Sequence, residues 1–206
     1  MSFNLMIVIV TCLISYGAFQ DQSFKYKFMH IPFEEHSQGE WYRMLSSGFI
    51  HRDWVHLLVN MFVLYSFGEY IELRFTAHFG PLLGKFVYLG MYLLAIVFAS
   101  LPSYYRHREH RGYAALGASG AVSAVLLAYV VFAPWNLIYL YAIVPIPAIV
   151  AAVLYLAYSY YADKKGGSNI GHDAHFYGAV FGFFFTIAIN PSWANGFISQ
   201  LLSFNF

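Results

Sequence analysis

The sequence is poor in charge and in cysteine, and these two shortages limit what the chain can be. Only 10% of its 206 residues are charged, whereas soluble domains average about 25%. Cys12 is the only cysteine, which excludes a disulfide framework and a cysteine zinc cluster. The net charge of +1 gives no basic footprint, so we expect no nucleic-acid partner.

What the chain has in abundance is apolar and aromatic side chains. Hydrophobic residues make up 60% of it and aromatics 21%, which is typical of a protein that faces lipid. Apolar runs long enough to cross a hydrocarbon core of about 30 Å recur along the sequence. We predict an all-α membrane domain over residues 1–206, with transmembrane helices at about 3–19, 54–73, 82–101, 115–133, 136–161 and 174–190.

The segments around these six helices are less regular. The first run has no Lys or Arg ahead of it and no cleavage pattern after it, which favours a retained helix over a signal peptide. The loop of about 20–53 mixes charged and aromatic residues, so we expect it to fold at the membrane interface. Pro145 and Pro147 predict a kink in the fifth helix. The tail from Trp193 to Phe206 is short and is expected to be interfacial or loosely packed.

The first candidate site is Gly117-Ala118-Ser119-Gly120, which opens the fourth predicted helix. The two glycines leave the Ser119 hydroxyl unobstructed. In the first turn of a helix, backbone N–H groups lack intrahelical partners and can bind a developing anion. A packing face of small residues, or an N-cap serine, would account for the same residues.

The second candidate site opens the sixth predicted helix. His175, Gly178 and Gly182 are spaced i, i+3 and i+7, so they share one helix face. The two glycines form a small-xxx-small pair that lets another helix approach closely. An interfacial histidine above an ordinary packing motif is the alternative.

The third candidate site lies on the second predicted helix. His56 and Asn60 are spaced i, i+4 and so share one face of an otherwise apolar helix. Facing a wet cavity, they would act as hydrogen-bond donors. Alternatively, they satisfy neighbouring loops.

Topology links the three sites. Successive membrane helices alternate in direction, so the second, fourth and sixth run the same way. Ser119, His175 and His56 all lie near the N-terminal ends of these helices. A nucleophile, a base and oxyanion donors are therefore predicted at one membrane face, which favours an enzyme.

These motifs, in this order, resemble the rhomboid family of intramembrane serine proteases. The resemblance implies a catalytic dyad and an oxyanion hole that includes the Ser119 backbone N–H. Gly117, Gly120, Gly178 and Gly182 would support the site. Glu40 and Arg43 keep their places in an E-x-W-R element of the family's first loop, where this sequence has Tyr42 in place of the tryptophan. Some members place an aromatic residue one turn after the serine, stacked on the catalytic histidine, where this sequence has Ser123. The residues that carry the resemblance are the dyad Ser119 and His175, and the oxyanion donors His56 and Asn60.

The chemistry implied is peptide hydrolysis without a cofactor. Asp173 lies two residues before His175, and side chains so spaced point away from each other, which favours a dyad over a triad. No H-E-x-x-H motif occurs, and the pairs His107/His110 and His172/His175 lack an acidic third ligand, so no metal is expected.

The expected partners are transmembrane protein substrates, the lipid bilayer and water as co-substrate. A catalytically inactive rhomboid-like protein that binds transmembrane clients is the alternative function, and a small transporter is possible on composition alone. The resemblance implies a plasma or inner membrane and an active site that faces outward. The positive-inside rule favours the opposite orientation. The topology that the resemblance implies leaves only Arg74 and Lys85 in the inside loops.

Overall fold

The computed structural model describes residues 1–140, 143–165 and 171–203, and it is mostly helical over them. A short 3₁₀ turn follows the fourth helix at Ser47–Phe49. Within the described residues the helices are α1 (Phe3–Gln20), α2 (Gln22–Phe28), α3 (Pro32–Gln38), α4 (Tyr42–Ser46), α5 (Trp54–Phe79), α6 (Pro81–His107), α7 (Ser119–Phe132), α8 (Ala148–Lys165), α9 (His172–Ile189) and α10 (Ser192–Leu202). The strands are β1 (Leu137–Leu140) and β2 (Val144–Pro147).

Two helices of the described residues, α1 and α6, are long and apolar enough to cross a membrane by length and composition. Helix α7 is apolar but has only 14 residues. Helix α5 has 26 residues, and Glu69, Glu72 and Arg74 reduce its apolar character. The bundle of six membrane spans therefore stays a prediction.

The turn between α5 and α6 consists of one residue. Helix α5 continues to Phe79, past the expected end near residue 73, and its Arg74 guanidinium lies over the Phe132 ring at 4.8 Å. Gly80 follows with φ +90°, a conformation that glycine adopts with little strain. Pro81 then starts α6, where its fixed φ suits the first helical position.

The expectation of one kinked helix over about 136–161 is wrong. Strands β1 and β2 form an antiparallel hairpin, and α8 starts only after it. Pro145 and Pro147 lie in β2, which has a free edge in a two-stranded sheet. A proline has no N–H to donate and clashes with the preceding helical turn, so an edge strand suits two closely spaced prolines better than a helix.

The tail is more regular than expected. It forms α10, and Trp193 stacks on Phe75 of α5 with ring centroids 5.7 Å apart. The same indole lies edge-on to Phe132 of α7 at 4.8 Å, and Phe197 is buried. The described part of the tail is therefore packed against the bundle. The expectation for the tail also covered residues 204–206, which lie outside the described residues.

Helix α7 lies at the centre of the bundle and packs most extensively against α9. At Gly178, a Cβ atom would collide with the Gly120 carbonyl group of α7. At Gly182, it would collide with the backbone of Ala124. The backbones of the two helices are therefore in direct contact, as the small-xxx-small pattern allows.

The start of α1 is fixed by a carboxyl group of α5. Glu72 is buried, and its two oxygens accept hydrogen bonds from the N–H groups of Phe3 at 3.0 Å and Asn4 at 2.7 Å. These N–H groups lack partners within their own helix, and a helix N-terminus favours negative charge. Tyr88 of α6 donates to the Asn4 side chain at 2.6 Å. The first helix is thus held by α5 and α6 at this end.

We expect Gly178→Ala to lower the free energy of unfolding by about 1–3 kcal/mol, as overpacking in a tight interior typically does. The added methyl group meets backbone atoms of Gly120, which cannot rotate away. Thermal unfolding in detergent measures the effect. The matched control is Gly90→Ala on α6, where a Cβ would have no neighbour within 4 Å. Equal unfolding temperatures for the two variants would contradict this prediction.

Candidate active site

Ser119 is the first residue of α7, so the helix starts four residues later than the expected 115. The helix does not extend back through Gly117, because the φ of this residue is +122°, which is not helical and lies in the region that favours glycine. A Cβ at Gly117 would also lie 2.6 Å from the His56 ring. Both constraints explain why glycine leads into this serine.

The first loop holds the segment that leads to Ser119. His30 and Ala115 exchange two backbone hydrogen bonds of 2.9 Å, and the Gly117 N–H donates to the Ser47 carbonyl at 2.9 Å. The Ala118 N–H donates to the His51 ring at 3.3 Å. The first loop, which was predicted to fold at the interface, therefore holds the backbone before Ser119 in place through hydrogen bonds.

The N–H groups at the start of α7 have no hydrogen-bond partner within their own helix. The first bond within the helix runs from the Val122 N–H to the Ala118 carbonyl at 2.9 Å. The N–H groups of Ser119, Gly120 and Ala121 precede that bond, and all three residues line a cavity. They can therefore receive an anion.

That cavity has a volume of about 1120 Å³, and its wall includes the four residues predicted to form the active site. Ser119 and His175 line it, together with His56 and Asn60. Among the described residues no hydrogen bond joins the Ser119 hydroxyl to His175. In enzymes that use a serine and a histidine together, this bond often tightens only when substrate is bound.

His56 and Asn60 both lie in the first two turns of α5. Asp53 caps this helix by accepting the His56 N–H at 2.8 Å, and that bond, with the Arg52 side chain, lowers the pKa of Asp53. The Asn60 amide donates to the His56 carbonyl at 2.8 Å, and only 6% of Asn60 is exposed. One further amide hydrogen of Asn60 is left for a ligand in the cavity.

The structure brings Tyr155 of α8 to His175, a contact that sequence reasoning missed. The two rings stack with centroids 6.0 Å apart and an interplanar angle of 25°. The Tyr155 hydroxyl is 2.6 Å from the Ser123 hydroxyl, which donates to the Ser119 carbonyl at 2.7 Å. The serine at position 123 was the available signal that a ring beside His175 would have to come from another position. It does not indicate which helix supplies that ring.

His51 is a second residue that sequence reasoning missed, although it lies five residues before His56. It is fully buried, and its ring lies 4.9 Å from the His56 ring. Since Nε2 accepts from Ala118, Nδ1 carries the hydrogen and donates to the Ser15 hydroxyl at 2.9 Å. Burial, with the neighbouring His56, lowers the pKa of His51 to about 3. The ring therefore stays neutral and keeps its acceptor.

Asp173 is engaged away from His175. Its carboxyl group accepts the N–H of Ala174 at 2.8 Å and lies 3.8 Å from the Arg106 guanidinium. His172 is buried in the cavity wall, edge-on to His175 with ring centroids 5.9 Å apart. Among the described residues no group of three or more His, Cys, Asp and Glu side chains could hold a metal ion.

Glu40 and Arg43 lie outside the lining of the cavity in the part of the chain that the structure describes. Arg43 is buried, pairs with Glu40 at 2.6 Å and donates to the carbonyls of Tyr26 at 2.7 Å and Met29 at 3.3 Å. The pair thus ties the end of α2 to α4, within the loop that clamps the serine segment.

We expect acidification to destabilise the protein through His51. Because its pKa is about 3 when folded and about 6.5 when unfolded, the unfolded chain binds more protons between these values. Stability therefore falls as the pH drops below the unfolded pKa, by about 2 kcal/mol at about pH 5. Thermal unfolding of the wild type and His51→Gln over this range measures the effect.

The variant should show a shallower pH slope than the wild type, whereas His110→Gln, a change at an exposed histidine, should leave the slope unchanged. Identical slopes for the wild type and His51→Gln would rule out this contribution.

Two comparisons relate the chain to known proteins. The family model described as Rhomboid domain matches residues 38–192, well over half of the chain. The chain is similar to RHOMBOID-like protein 12, mitochondrial, of Arabidopsis thaliana, with 29% identity over 188 residues. The match covers 86% of this chain but 54% of the relative, so the chain spans about half the length of that protein. The match of the family model shows that the chain belongs to the rhomboid family.

Proposed function

We propose that the protein is an intramembrane serine endopeptidase that cleaves transmembrane-helix substrates near one membrane face. The observation that carries the proposal is the shared cavity: Ser119 and His175, at the starts of α7 and α9, line it together with His56 and Asn60. Rhomboid proteins are membrane proteins and include serine proteases, which supports the same reaction class.

In this proposal the long helices α1, α5, α6, α7, α8 and α9 span the bilayer. Helix α7, with 14 residues, is about 21 Å long, which is shorter than a hydrocarbon core of about 30 Å. Its first residue, Ser119, therefore lies below the membrane surface. The cavity, whose wall includes Arg52, Asp53 and Arg106, supplies the water that hydrolysis needs.

The proposed mechanism uses a dyad. His175 accepts the Ser119 proton as the hydroxyl oxygen attacks the scissile carbonyl, and later returns that proton to the leaving amine. The Ser119 N–H, the His56 ring and the Asn60 amide stabilise the tetrahedral oxyanion. Water then hydrolyses the acyl-enzyme. The engagement of Asp173 with Arg106 and with its own helix start supports a dyad rather than a triad.

The substrate and the membrane belong to the proposal as well. The apolar surroundings of the cavity suit a transmembrane segment that unwinds locally at the active site. The name of the Arabidopsis relative assigns that protein to mitochondria. The expectation of an outward-facing site in a plasma or inner membrane stays a prediction.

Ser119→Ala and His175→Ala should each lower cleavage of a model transmembrane substrate by about 10³-fold or more, because each removes half of the dyad. Purified protein in liposomes, with a fluorescent single-spanning substrate, provides the measurement. Substrate cleavage at the wild-type rate by Ser119→Ala would refute the mechanism. An inactive wild type against varied substrates would favour the client-binding alternative.

Asn60→Ala and His56→Ala should each lower kcat by roughly 10²-fold, since each removes one donor from the developing oxyanion. KM should change much less, because these donors bind the transition state more strongly than the substrate. The control is Ser66→Ala on the exposed side of α5. An unchanged kcat in both donor variants would exclude them from the oxyanion hole.

A further inference from the structure

We infer that Tyr155 of α8 is a positioning residue for His175, and that Ser123 of α7 fixes Tyr155 in place. The inference rests on the proposed function, since positioning matters only if His175 acts as a base. It assigns to α8, which carries none of the proposed reacting groups, a part in the reaction.

The ring of Tyr155 limits what the His175 side chain can do. The stacked contact, with centroids 6.0 Å apart and planes 25° from parallel, covers one face of the imidazole. This separation lies within the range of favourable ring pairs. Rotation of the imidazole about its side-chain bonds would break the stack. The contact therefore favours one ring orientation, which a base that serves one hydroxyl requires.

The hydroxyl of Tyr155 ties that ring to the helix of the nucleophile. The Ser123 hydroxyl has one hydrogen and donates it to the Ser119 carbonyl at 2.7 Å. The 2.6 Å contact with Tyr155 is therefore a bond in which the tyrosine donates. Tyr155 thus contacts the helix of Ser119 through its hydroxyl and the side chain of His175 through its ring.

The small side chain at position 123 is part of this arrangement. Ser123 is buried, with 3% exposure, one turn after Ser119. A bulky residue there would compete with the Tyr155 ring for the same space. The structure instead combines a small hydroxyl on α7 with a large ring from α8, and the two are joined by a hydrogen bond.

His172 is the other ring beside His175, but it is a weaker candidate for this role. It lies edge-on at 5.9 Å and belongs to the same helix as His175. Among the described residues, no hydrogen bond joins the His172 ring to α7, whereas the Tyr155 hydroxyl is bonded to Ser123 of that helix.

The test uses the full chain in liposomes and two reactions. One is cleavage of a model transmembrane substrate, and the other is labelling of Ser119 by a small fluorophosphonate, which needs no substrate-helix docking. Tyr155→Leu should lower kcat and the labelling rate by about 10- to 100-fold, as small misplacements of catalytic groups do, with KM nearly unchanged. Tyr155→Phe keeps the ring but loses the bond to Ser123, so both rates should lie between those of Tyr155→Leu and the wild type.

The matched control is Tyr161→Leu, the same change at an exposed tyrosine of α8, which should leave both rates unchanged. Wild-type rates in Tyr155→Leu would overturn the inference. So would equal losses in Tyr155→Phe and Tyr155→Leu, since the ring would then not matter.

A third measurement separates this inference from the proposed function and needs no activity. In the Ser119→Ala background, NMR spectra of histidine-labelled protein report the ring protons of His175, which the Tyr155 ring current should shift. Tyr155→Phe should keep that shift, and Tyr155→Leu should remove it. His175 resonances that do not respond to Tyr155→Leu would overturn the inference, whether or not the wild type cleaves its substrate. A wild type that shows the shift but is not labelled would count against the proposed function alone.

Discussion

The backbone contact between α7 and α9 is the constraint on which the rest of the site depends. Gly178 and Gly182 carry no side chain, so the carbonyl groups of α7 occupy the space where Cβ atoms would be. Both helices run in the same direction. Ser119 is the first residue of α7, and His175 lies in the first turn of α9. The close contact sets how far apart Ser119 and His175 can be, and a wider helix spacing would separate them.

The first loop has the complementary task of fixing the backbone before Ser119. The backbone at residues 115–118 is not helical and includes the positive-φ Gly117, so its N–H and C=O groups need partners elsewhere. His30, Ser47 and His51 supply these partners. In turn, Arg43 holds the loop together through the carbonyls of Tyr26 and Met29. His51 and Arg43 therefore serve the geometry of a cavity that they do not themselves line.

The positions of α1, α5, α6 and α9 could be predicted from the sequence, as could the four residues that share the cavity lining, because apolar runs and helix starts leave local signals. The β-hairpin was missed because its residues are as apolar as a helix, and periodicity cannot separate the two over so short a run. Tyr155 could not be predicted, since its role depends on how α8 is rotated about its own axis. His51 was missed for a related reason: a loop histidine shows its partners only after distant segments have packed.

The carboxyl group of Glu72 has a consequence for how the protein sits in lipid. A shift of α1 by one helical turn, about 5.4 Å, would leave a buried acid without its two N–H partners. The height of α1 is therefore set by α5 and not by the bilayer. With α1 spanning the bilayer as proposed, lipid chains near it stretch or compress when the membrane is thicker or thinner than the helix, because the helix cannot slide to match them.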